Sequence, residues 1–129
     1  MNIKQKILGL KLPENSFIVV GSGILNALGI RESNDIDMIV AQDVFDSLDR
    51  IGWEHDTWAN QTVLKKDVFD LGVHWMNVKI EKLLQRATVV DGIPYLSLSD
   101  LLAWKIERAR PKDILDVKLI NDYIAKKSN

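Results

Sequence analysis

Residues Phe17-Ile-Val-Val-Gly-Ser-Gly23 and, about a dozen positions on, Arg31-Glu-Ser-Asn-Asp-Ile-Asp37 decide how this chain is read. Phe17 to Val20 is a continuous apolar run of strand length, and Gly21-Ser22-Gly23 supplies a turn. Ile24 to Leu28 has room for only about two helical turns before Gly29, and a second strand over Asp35 to Val40 carries two carboxylates. Side chains alternate across a strand, so Asp35 and Asp37 share a face about 6 to 7 Å apart while Ile36 faces the core. Gly21 lets the backbone approach a ligand closely, Ser22 offers a hydroxyl and an amide, and the start of the following helix favours an anion. Backbone donors beside paired carboxylates suit a metal-bound triphosphate, with one divalent ion on the aspartates and a second about 3.5 to 4 Å away.

Outward from this pair of segments, Asn2 caps a short helix over residues 2 to 10, apolar at Ile3, Ile7, Leu8 and Leu10 and stopped by Pro13. Gln42 to Ile51 reads as a helix whose apolar face is Val44, Phe45, Leu48 and Ile51, with Gly52 as its stop. Trp53 to Trp58, Thr62 to Lys65 and Val68 to His74 read as strands divided by turns at Ala59-Asn60 and Lys66-Asp67. Connections this short require antiparallel pairing. Ile80 to Ala87 reads as a helix, and Thr88 to Tyr95 as a hairpin turning at Asp91-Gly92. Ser97 to Asp100 is a capping-box variant opening a helix to about Ala109, and Pro111 suits the first turn of a last helix to about Lys126. One strand-turn-helix-strand unit followed by a meander predicts an α+β fold, a mixed β-sheet with helices packed on it.

A chain of 129 residues is read as a single domain over 1–129. Its 47% hydrophobic and 27% charged content is that of an ordinary globular protein, and a net charge of −1 provides no global field for a polyanion. The absence of cysteine excludes disulfides, thiolate catalysis and cysteine-based zinc sites. No apolar run approaches ~18 residues, so no membrane span is expected and the expected location is the cytoplasm.

The order apolar strand, Gly-Ser, then Arg31-x-Ser-x-Asp-Ile-Asp-Met-Ile-Val40 resembles the polymerase-beta-like nucleotidyltransferase superfamily. Ile80 to Ala87 with Val90 to Lys105, and then Arg110-Pro-Lys-Asp-Ile-Leu-Asp116, resemble segments of its small prokaryotic members, the abortive-infection-type nucleotidyltransferases. The likeness runs from about residue 15 to 120. It implies a nucleotidyltransferase-like fold and a Gly21-Ser22 and Asp35/Asp37 nucleotide and metal site. It also implies a third carboxylate on a later strand, which falls on Asp70 with Asp67 as the alternative.

The roles so implied are Mg²⁺ or Mn²⁺ held by Asp35, Asp37 and Asp70, with Asp70 also taking the nucleophile's proton. Gly21 and Ser22 grip the NTP phosphates, Lys105 is a candidate phosphate ligand, and Arg110 and Lys112 are candidates for nucleotide or acceptor. A structural reading stands beside this one. Lys112 and Asp116 are i,i+4 neighbours and Asp113 lies in a first helical turn, so these residues can simply stabilise the last helix.

The implied activity is transfer of a nucleoside monophosphate from an NTP to a hydroxyl of RNA, protein or a small molecule, releasing pyrophosphate. Two rivals are a catalytically silent nucleotidyltransferase-fold module that binds nucleotide or a partner protein, and an interaction subunit. The latter would be half of a toxin-antitoxin or two-component transferase pair, with a large apolar patch on its Trp-bearing face; a partner protein or a homo-oligomer is the expected assembly. A dinucleotide fold is excluded because the helix after Gly23 is too short and the acids open the second strand. No Walker loop or Gly-x-Ser-x-Gly elbow occurs. His55 and His74 lack ligand-spaced partners, and the four tryptophans read as core or interface anchors, with Trp58 and Trp75 placed to line an acceptor groove.

Overall fold

The computed structural model describes residues 1–58 and 60–127. Helix α1 (Ile3–Leu8) is capped by Asn2, whose Oδ1 accepts the Gln5 amide at 3.1 Å. It closes at Gly9, short of Pro13. Strand β1 (Phe17–Val20), the five-residue helix α2 (Gly23–Ala27) and strand β2 (Ile36–Val40) follow as the apolar runs dictate. Asp35 lies one residue ahead of β2, not inside it. Gly23 lets α2 start close against β1, because a Cβ there would run into Val19 Cγ1.

Helix α3 (Gln42–Arg50) precedes β3 (Glu54–Trp58), β4 (Gln61–Lys66) and β5 (Phe69–Gly72). Ile51 does not join the buried face of α3. It falls after the last turn and is 73% exposed. The segment read as one strand to His74 divides, since β6 (His74–Trp75) pairs with β7 (Val78–Lys79) as a separate ribbon. The Lys66-Asp67 turn forms with Asp67 at φ 55°, and Asn60 has φ 63°, while Ala59 of the other expected turn lies outside the described residues. Helix α4 (Ile80–Gln85) leads to the hairpin β8 (Thr88–Val90) and β9 (Ile93–Tyr95). Its turn has Asp91 and Gly92 at φ 52° and 79°, the two positive values a tight hairpin requires.

Helix α5 (Leu98–Arg108) begins where Ser97 Oγ accepts the Asp100 amide at 3.1 Å, and α6 (Pro111–Lys127) opens on its proline. The main sheet runs β3-β4-β5-β2-β1-β9-β8, parallel at β2/β5 and β1/β9 and antiparallel elsewhere. This mixed sheet with packed helices is the expected α+β fold. Central strands β1 and β2 bury Ile18, Val19, Val20, Ile36, Met38 and Ile39 almost completely, which fixes the register of the carboxylates they carry. Among the described residues no helix is long and apolar enough to cross a membrane.

Candidate active site

Register places the acidic residues in a row. Asp37 on β2 stands opposite Asp70 on β5, Asp70 opposite Lys65 on β4, and Val20, which leads into Gly21, opposite Asp37. Asp70 is therefore the acid beside Asp37. Asp67, the alternative, sits in a turn and pairs with Lys6 at 3.4 Å. Gly21 has φ +62°, and a Cβ on it would come within 2.9 Å of Asp37 Oδ2, so bare backbone lies against that carboxylate. Ser22 opens α2 with its hydroxyl making no capping bond.

Burial, then the charges of Asp70 and Asp35, push the Asp37 carboxyl up to about 6. Lys65 offers partial relief, with its ammonium 3.4 Å from Asp70 Oδ1 and 4.0 Å from Asp56 Oδ2. The charge of Asp70 in turn raises the Lys65 pKa. Among the described residues no three His, Cys, Asp or Glu side chains close into a metal-ligating group. The acids stand as a crowded row of hard oxygen donors with excess negative charge, which fits a divalent cation by donor chemistry and charge.

The C-terminal helices supply a basic wall. Lys105 is 2% exposed and its ammonium lies 2.7 Å from Asp116 and 3.5 Å from Asp113. Arg31 binds Asp116 through two nitrogens at 2.6 and 2.7 Å, and Arg110 binds Asp113 at 2.7 Å. The Arg110 hydrogen bond holds Asp113 well below the usual carboxylate range. Burial pushes Asp116 upward, but the bonds from Arg31 and Lys105 outweigh it and leave Asp116 below its ordinary value. Lys105 and Arg110 are thus committed to internal carboxylates. No buried side-chain nitrogen or oxygen among the described residues lacks a partner.

Two cations of this wall keep no ion pair among the described residues. Lys112 and Arg108 line a cleft of about 270 Å³ together with Gly21, Ser22 and Asp37. Arg108 stacks 4.2 Å from the Trp104 ring centroid. Asp35 and Ser33 line a second cleft, which shares Ser22, Asp37 and Lys112 with the first. Gly21, Ser22, Asp35, Asp37, Lys105, Arg110 and Lys112 line these two clefts, and Asp70 stands beside them through its register with Asp37. Sequence reasoning missed Arg108, Arg31 and Lys65. The Lys66-Asp67 turn already implied antiparallel pairing of the strands that carry Lys65 and Asp70, but the register that sets the two opposite each other was not read.

A mixed sheet with two adjacent carboxylates, a Gly-Ser turn against one of them and a basic helical wall defines a nucleotidyltransferase-like protein. The chain belongs to the family "nucleotidyltransferase of unknown function" (DUF6036), whose model matches residues 1–126. No curated protein matches it. Among solved structures it is similar to ANT(2″)-Ia in complex with adenylyl-2″-tobramycin, at TM-score 0.60 and 17% identity over 97% of this chain and 90% of that one. It is also similar to a Thermotoga maritima protein assigned as a nucleotidyltransferase, at TM-score 0.57 and 17% identity over 96% of this chain and 91% of that one. At that identity the likeness establishes the shared fold.

Proposed function

We propose that this protein moves a nucleoside monophosphate from an NTP to a hydroxyl acceptor and releases pyrophosphate. The observation that carries the reading is the pairing of Asp37 with Asp70 beside the bare backbone of Gly21, facing Arg108 and Lys112. Gly21 and Ser22 hold triphosphate oxygens, and the two cations offset their charge. Asp35, Asp37 and Asp70 would hold Mg²⁺ or Mn²⁺, which when bound neutralises triphosphate charge and stabilises the departing pyrophosphate. The acceptor oxygen attacks the α-phosphorus, its proton passes to the Asp70 carboxylate directly or through water, and the bond from that phosphorus to the β-bridging oxygen breaks. Lys105 and Arg110 act indirectly by fixing α5 against α6, which sets where Arg108 and Lys112 stand.

The acceptor classes are an RNA 3′ end, a protein side chain and a small molecule. Resemblance to abortive-infection-type and toxin-antitoxin proteins supports the first two, and the fold shared with ANT(2″)-Ia supports an aminoglycoside-type compound. Incubation with each α-labelled NTP, Mg²⁺ or Mn²⁺, and cellular RNA, protein or aminoglycosides tests the reading. Label should appear on one acceptor class and drop by at least ~100-fold in Asp37→Ala. No transfer above that variant's background under any condition contradicts it. A second reading, a nucleotide-binding module without turnover, is favoured by Lys65 standing on Asp70 where a second cation is needed. Nucleotide binding without transfer is its signature.

A further inference from the structure

Three of the chain's four tryptophans meet at one place. Trp58 at the end of β3, Trp75 on β6 and Trp104 on α5 form a continuous group, with ring centroids 5.6 Å apart for Trp58–Trp75 and 4.6 Å for Trp75–Trp104. Trp75 is buried as the floor, while Trp58 and Trp104 are half-buried and present ring surface to a cleft of about 580 Å³. Glu54 pairs with Lys65, and alternation then brings Trp58, an even number of residues along β3, onto the face that carries Lys65, Asp70 and Asp37. Trp58, Trp104 and Arg108 also line the cleft of Gly21, Ser22 and Asp37, so the two clefts form one continuous surface. At its rim the exposed amides of Asn60 and Asn77 make no hydrogen bond among the described residues.

We propose that this tryptophan cleft binds the nucleoside of the NTP, with the base against the indoles of Trp58 and Trp104. The proposal rests on the placement of the triphosphate at Gly21 and Ser22 argued above. Every base has a π-face that stacks on indole, and amide groups at the rim suit the polar edges of a base. Arg108 borders both clefts, so one guanidinium is placed to serve the phosphates while it lies over the Trp104 ring. The cleft on the Asp35 side and the Asp70–Lys65 edge are left for the acceptor.

Tryptophan fluorescence and titration calorimetry on the full chain with Mg²⁺ test this, using the four NTPs and inorganic tripolyphosphate. NTPs should quench saturably and bind more tightly than tripolyphosphate, which should bind without quenching. Trp53 packs on Phe69 away from the cleft and should not respond. Trp104→Leu should weaken NTP binding roughly 5- to 100-fold and leave tripolyphosphate unchanged. Trp58→Leu, on the opposite wall, should do the same, and circular dichroism reports whether each variant is folded. NTPs and tripolyphosphate binding alike without quenching, or NTP affinity unchanged in both folded variants, overturns the proposal while the triphosphate site stands; the cleft then belongs to the acceptor. If neither NTP nor tripolyphosphate binds, both readings fall.

Discussion

Asp37 is held in a state that costs stability. Its carboxyl ordinarily titrates at 3.8 and in the fold at about 6, so the folded chain retains a proton that the unfolded chain has released between those values. Stability therefore falls as pH rises through that window and stays reduced above it, by up to about 3 kcal/mol. Asp37→Asn should raise the melting temperature at pH 7 by several degrees in metal-free buffer. The gain should shrink as pH falls from 6 to 4 and vanish below about pH 3, where Asp37 is protonated in the folded and unfolded chain alike. Mg²⁺ or Mn²⁺ should stabilise the wild type and not the variant, and a variant less stable than wild type at pH 7 without metal contradicts this account. Gly21→Ala tests the same contact from the other side. A Cβ 2.9 Å from Asp37 Oδ2 at φ +62° should lower stability by about 1–2 kcal/mol and weaken tripolyphosphate binding, both read by titration.

Among the elements, α5 and α6 are locked by charge. Lys105, Asp113 and Asp116 are almost wholly buried, and Arg31 ties this group to the segment before β2. Lys105→Met leaves two buried carboxylates with one partner fewer and should cost about 3–5 kcal/mol in urea unfolding. Both acids sit below their ordinary pKa in the fold, so their contribution is complete above about pH 4 and is lost as pH falls below it. Loss of stability on acidification below pH 4 should be shallower in Lys105→Met than in wild type. These elements also show what the sequence carries. The Asn2 and Ser97 caps, the Asp91-Gly92 hairpin and the Pro111 start were legible because each depends on residues within a few positions. The Asp37–Asp70 adjacency was reached only through family resemblance, since it depends on a parallel pairing of β2 with β5 that no local pattern specifies. The Arg31–Asp116 bond spans 85 positions and left no local signal at either end. The sequence showed Lys105 and Arg110 only as basic residues near the last helix; the carboxylates they bind became visible once α5 and α6 were placed together.

At the scale of the whole molecule, the candidate site depends on the last helix staying in place. The fully buried residues of α6 are Asp113, Asp116 and Ile120, whereas Ile114 and Leu115 are 60% and 66% exposed. Little apolar burial holds this helix, so the ion network holds it, and through Arg31 it also holds the segment that delivers Asp35 and Asp37. Removing α6 would leave the buried Lys105 ammonium without either carboxylate and Arg31 without its partner, at a cost comparable to the total stability of a domain this size. A chain ending at Arg110 should therefore lose the cooperative thermal transition and the dispersed amide spectrum of the full protein, which itself should unfold in one step. Circular dichroism melts and two-dimensional NMR spectra distinguish the outcomes. A truncated chain that melts cooperatively would show that residues 1–110 fold alone and that α6 is an appendage; one that collapses without a transition makes the sheet, α5 and α6 one unit on which Arg108 and Lys112 are mounted.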